Sequence, residues 1–134
     1  MKYFLIIFLA SFTIFGCSKE KTYTKKIQHK WQHVNDDFKF TDGTPDLSSG
    51  SLDAEYWSFN NGLLEKNYSN GNTTYDYTIE NDQLKTKGQG NIVGFDFTYT
   101  IESITDEKMV LLYMLTNDAG EKNGELNMNF KRAD

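Results

Sequence analysis

The stretch Val93-Gly94-Phe95-Asp96-Phe97-Thr98-Tyr99-Thr100-Ile101-Glu102 decides the fold: its odd positions are all apolar or aromatic, and its even positions are all small or polar. Side chains on a β-strand point to opposite faces at each step, so this spacing predicts a strand with one dry and one wet face. The same period recurs on either side. Tyr75, Tyr77 and Ile79 alternate with Thr74, Asp76, Thr78 and Glu80, and Leu126, Met128 and Phe130 alternate with Glu125, Asn127, Asn129 and Lys131. Beyond residue 26 no window of a dozen residues carries a helical stripe, and the domain reads as nearly all β, in sheets with one solvated face.

Turn chemistry divides the chain at short range. Asn61-Gly62, Asn70-Gly71, Asn81-Asp82, Thr105-Asp106-Glu107 and the run from Asn117 to Gly124 separate the alternating segments. Asn-Gly accepts the positive φ of a tight hairpin, so successive strands are expected to be antiparallel neighbours. The expected strands are Lys30 to Phe40, Glu55 to Asn60, Leu63 to Ser69, Thr73 to Glu80, Gln83 to Gly88, Ile92 to Ile104, Lys108 to Thr116 and Gly124 to Arg132. An eight-stranded antiparallel up-and-down meander commonly closes into a barrel, which removes its exposed edges.

Three features break the simple pattern. In the first strand Trp31 and His33 have one parity while Val34, Phe38 and Phe40 have the other, so a bulge near Asn35-Asp36-Asp37 is expected to turn both sets inward. Both faces of Met109 to Leu115 are apolar, which leaves Val110, Leu112 and Met114 as a covered stripe or a contact surface. The long Thr41 to Ala54 connection is the one loop expected to reach over a barrel mouth; a mobile excursion is its other reading.

With 134 residues, one cysteine and one proline, the chain is bounded to a single small domain, and its aromatic share of 15% supplies a core. A formal charge of −5, with no basic run outside Lys19 to Lys26, carries no footprint for nucleic acid. A lone thiol excludes an intrachain disulfide and a multi-thiolate zinc site.

That thiol has a telling position. One Lys and a charge-free apolar run, Tyr3 to Gly16, precede Cys17, and Ser18-Lys19-Glu20-Lys21 follows at once. The pattern is that of a signal peptide over residues 1–16, with an apolar run too short for a spanning helix. Ile14-Phe15-Gly16-Cys17 resembles a bacterial lipobox. The resemblance implies cleavage before Cys17, acyl chains on its sulfur and new amino group, and a membrane held through that lipid. Residues 17–26 then form a lipidated tether and 27–134 the domain. With no Asp after Cys17, the resemblance points to the outer membrane of a Gram-negative envelope. An ordinary secretory leader or an uncleaved N-terminal anchor are the other readings.

The opening Ile27-Gln28-His29-Lys30-Trp31-Gln32, the strands Tyr56-Trp57-Ser58-Phe59, Tyr75-Asp76-Tyr77-Thr78-Ile79 and Phe97-Thr98-Tyr99-Thr100-Ile101, and the closing Met128-Asn129-Phe130-Lys131 resemble the lipocalin-like lipoproteins common in Bacteroidetes. The resemblance implies an up-and-down β-barrel with Trp31 packed across one end and a pocket at the other.

No set of residues marks an enzyme. There is no Gly-x-Ser-x-Gly elbow and no Gly-rich phosphate loop, and the thiol is committed to lipid. His29 and His33, four apart on a strand, stand roughly 13 Å from each other and cannot share a metal ion. Asp36, Asp37, Asp42 and Asp46 miss the calcium-loop spacing. No cofactor is expected. The remaining signal is aromatic: Trp57, Tyr75, Tyr77, Phe95, Phe97, Tyr99, Tyr113 and Phe130 stand at inward positions. They form either a pocket for a small hydrophobic ligand or the filling of a solid barrel. With a solid interior, the Val110, Leu112, Met114 stripe is the surface that docks an envelope protein partner.

Overall fold

The structure is a computed structural model that describes residues 15–51 and 53–134, with side chains described from Lys19 onward. A helix, α1 (Phe15–Ile27), precedes nine strands: β1 (Lys30–Phe40), β2 (Leu47–Gly50), β3 (Tyr56–Asn60), β4 (Leu63–Tyr68), β5 (Gly71–Glu80), β6 (Gln83–Gly88), β7 (Phe97–Ile104), β8 (Lys108–Thr116) and β9 (Lys122–Arg132). Strands β3 to β9 run as an antiparallel meander, and β9 returns to pair with β1. β1 and β3 to β9 therefore close an eight-stranded barrel, as the alternation predicts. β2 is the extra strand. It lies along the outer half of β1, from Asn35 to Phe38, while β3 holds the inner half at Lys30 to Gln32.

Hairpin chemistry fits the joints. Asn61 and Gly62 both adopt positive φ, at 46° and 84°, the conformation of a two-residue turn between strands of right-handed twist. The buried Gly88, at the end of β6, is required for another reason: a Cβ there would stand 1.9 Å from the Ile92 carbonyl oxygen. The chain folds back over it through a short 3₁₀ turn, Gly90–Ile92. That turn displaces the start of β7 to Phe97, five residues later than its alternation predicts. Val93 and Phe95 stand outside the sheet, 70% and 60% exposed. Periodicity continued past the point where inter-strand hydrogen bonding begins, and pairing, not pattern, sets a strand's end.

The first strand is bulged as expected, but the register slips at Val34, between His33 and Asn35. Val34 is thereby expelled to the surface, 45% exposed, and Asp36 takes its place inside with Trp31 and His33.

Residues 17–26, read from sequence as a tether, lie within α1, whose last residue, Ile27, is fully buried. Tyr23 packs on the core, Glu20 accepts a hydrogen bond from the Asn81 amide, and the Gln28 side chain accepts one from Asn61. Trp31, also fully buried, donates its indole N–H to the Ile27 carbonyl at 2.9 Å. The helix thus plugs the end of the barrel that carries the β3–β4 and β5–β6 turns. Of the expected leader, residues 1–14 lie outside the described residues, as do the side chains of Phe15 and of Cys17 after it. Among the described residues no helix is long and apolar enough to cross a membrane.

Candidate functional site

The opposite end of the barrel is open. A cavity of about 270 Å³ lies there, lined by Tyr68, Tyr75, Phe97, Tyr99, Tyr113, Leu126 and Met128, with Lys66, Asp53 and Asp36 among them. Four of the eight aromatic residues expected to face a ligand, Tyr75, Phe97, Tyr99 and Tyr113, meet at this cavity. Phe97 and Tyr99 each approach Tyr113, with centroids 6.2 Å and 5.6 Å away. The other four do not line it. Trp57 and Phe130 are buried against each other at 5.0 Å. Tyr77 packs edge-on against Phe59 in the closed half. Phe95 is exposed, because the turn over Gly88 carries it outside the barrel.

The charged members of the site escaped sequence reasoning. Lys66 is only 2% exposed, and its ammonium lies 3.9 Å from the centre of the Trp57 ring and 5.1 Å from that of Tyr75. Phe97 and Tyr99 complete the enclosure at 5.6 Å and 5.8 Å. A cation against ring faces is attracted by their quadrupoles, most strongly where water is excluded. Asp53 supplies the counter-charge: its Oδ2 accepts from Lys66 Nζ at 2.8 Å and its Oδ1 from the Tyr68 hydroxyl at 2.9 Å. The signal for Lys66 was present in the alternation of β4, which places it on the same face as Leu64 and Tyr68. Nothing local pointed to Asp53, which arrives from the connection between β2 and β3. That connection does reach the barrel mouth.

The pair perturbs its surroundings. Burial pulls the Lys66 amine below the ordinary lysine range, against the opposing pull of Asp53. At Asp53 burial pushes the carboxyl up, but the ammonium charge and its hydrogen bond outweigh that, and the pKa lies below the usual carboxylate range. Burial and the Asp53 charge push the phenols of Tyr68 and Tyr99 well above theirs. These hydroxyls remain protonated donors at neutral pH.

A second polar group lies beside it. His33, buried and stacked 4.7 Å from Phe130, bonds through Nε2 to Asp36 Oδ1 at 2.7 Å and through Nδ1 to Ser51 Oγ at 2.8 Å. Serine, imidazole and carboxylate occur in the order of an acyl-transfer relay. Here the Ser51 hydroxyl also lies 3.2 Å from the Asp53 carbonyl oxygen, so the chain of bonds ties the segment bearing Asp53 to β1. The histidines are far apart in role as well as position: His29 pairs at the surface with Asp134 at 3.2 Å. On the outer face of β8, Val110 and Leu112 are half-buried and Met114 is 52% exposed.

Comparison with protein-family models and with curated sequences returns no match. Among solved structures, a lipocalin-like protein from Bacteroides uniformis superposes with a TM-score of 0.53 at 14% identity, over 81% of this chain and 99% of that one. A bovine odorant binding protein, a deswapped triple mutant, gives a TM-score of 0.46 at 13% identity, over 81% of this chain and 74% of that one. The first likeness establishes a lipocalin-like fold, a closed antiparallel barrel.

Proposed function

We propose that this chain is a non-enzymatic, lipid-anchored protein of a Gram-negative cell envelope, on its outer membrane, that takes a small hydrophobic ligand into the open end of its barrel. The observation that carries the binding function is the cavity of about 270 Å³ walled by Tyr75, Phe97, Tyr99 and Tyr113. A barrel of eight strands has room to be filled by its own side chains, so an unfilled, aromatic-lined mouth calls for an occupant. The anchor rests on the Ile14-Phe15-Gly16-Cys17 pattern.

Native mass spectrometry of the full chain released from membranes is expected to reveal a bound small molecule; a chain that stays ligand-free across apolar extracts would refute capture. Cys17→Ser is expected to abolish acyl labelling and membrane retention, and unchanged labelling would refute the anchor. Because Ser51, His33 and Asp36 are bonded in sequence, the non-enzymatic reading has its own check: 4-nitrophenyl acetate is expected to be turned over no faster than by Ser51→Ala. A second reading, docking of an envelope protein, is favoured by one observation only, the exposure of Met114 beside Val110 and Leu112.

A further inference from the structure

An ion pair in an apolar mouth is not what stability alone selects. Taking two charges out of water is costly, and well-packed apolar residues in their place commonly serve the fold as well or better. Perturbed charges lining a cavity are a mark of a binding or reactive site. The two partners at this mouth are held very differently. Lys66 is rooted in the wall of the barrel on β4, where it pairs directly with Trp57 on β3, and four rings enclose its ammonium. Asp53 lies outside every strand, in the connection between β2 and β3, and its side chain keeps 26% of its surface in solvent. Of the two charges, only the carboxylate can leave without opening the barrel.

What it would leave behind has a definite shape. Lys66 Nζ and the Tyr68 hydroxyl each give one hydrogen bond to a different oxygen of the same carboxylate, at 2.8 Å and 2.9 Å. Two donors converging on two oxygens form a carboxylate cradle. Tyr75, Phe97 and Tyr113 continue the cavity wall beside it. The second acid at the cavity, Asp36, is bonded through Oδ1 to His33.

The geometry points to a small apolar carboxylate as the ligand, with its head group replacing the Asp53 side chain between Lys66 Nζ and Tyr68 Oη. Asp53 is then an internal placeholder that keeps the buried ammonium paired while the site is empty. A cavity just below the roughly 300 to 1,000 Å³ of ordinary ligand sites holds a single ring or a short chain beneath that head group. An amine-bearing ligand would instead have to displace Lys66, which the wall and the rings retain.

The inference rests on the capture reading above, and three isosteric probes separate the two. Quenching of tryptophan fluorescence in the purified full chain, with Trp57 beside the site, is to be measured with 3-phenylpropionate, 3-phenylpropan-1-ol and 3-phenylpropylamine at pH 7. The acid is expected to bind at least about tenfold more tightly than the alcohol, as befits hydrogen bonds to a charged group. Asp53→Asn is expected to tighten the acid by about tenfold, because the resident competitor is weakened. Lys66→Met and, more mildly, Tyr68→Phe are expected to erase the advantage of the acid over the alcohol. Equal binding of acid and alcohol in the unmodified chain would overturn the carboxylate assignment while leaving capture intact, and a preference for the amine would overturn it in favour of a cation held by Asp53. Binding of none of the three would count against both.

Discussion

The two ends of this barrel are built from the same strands and solve opposite problems. At the plugged end Ile27 and Trp31 are fully buried, α1 lies across the hairpin turns, and the indole N–H of Trp31 is satisfied by a helix carbonyl. At the open end a lysine is buried among aromatic rings, a carboxylate from a connecting segment neutralises it, and a cavity remains. The first arrangement stabilises a fold; the second leaves polar groups and volume in place that a fold alone would have no use for. Under the proposed function, stability and binding fall at opposite poles of one hydrogen-bonded cylinder.

That division has measurable consequences, the largest at the plugged end. Trp31→Ala removes a fully buried indole together with its bond to Ile27, and is expected to lower unfolding stability by about 3–5 kcal/mol in urea denaturation. A loss under about 1 kcal/mol would mean that α1 and Trp31 do not close the barrel. At the mouth the expected effect is smaller and depends on pH. The Asp53 carboxyl titrates below its ordinary range in the folded chain, because the ammonium of Lys66 outweighs the burial that raises it. The stability it contributes is therefore fully present above the unfolded carboxylate value of about 4, and is lost as pH falls through the depressed folded value. Urea midpoints measured from pH 7 down to pH 2 are expected to fall at the acid end, and Asp53→Asn is expected to flatten that fall. Identical acid limbs in the two proteins would show the pair to be energetically idle. The smallest effect is expected at Phe95. Exposed beyond the turn over Gly88, it should tolerate Phe95→Ser within about 0.5 kcal/mol; a larger loss would restore it to the barrel interior, where its alternation placed it.

Much of the architecture was legible residue by residue. β1, β6 and β8 occupy the spans that their patterns predict, and the Asn61-Gly62 turn adopts the positive φ values its residues permit. Other features were hidden for identifiable reasons. β2 is four residues rich in serine and has no apolar alternation; it exists because β1 offers an unpaired edge beyond the end of β3. The position of the β1 bulge depended on its partner β9, not on β1 itself. Parity identifies inward residues, and it marks four of the five aromatic residues at the cavity, all but Tyr68, together with four that do not line it. Parity does not say at what height along the barrel an inward residue stands, so it does not separate Tyr77 and Phe130 from Tyr75 and Phe97.

By itself the sequence determined that strands form, where most of them turn, and which side of each is dry, because period-two patterning and turn residues act over a few neighbouring positions. Only the tertiary structure decided which end opens, which rings meet there, and that Asp53 stands against Lys66. Those outcomes depend on the stagger between strands and on ring closure, which bring together groups from separate elements, and no local pattern records that stagger.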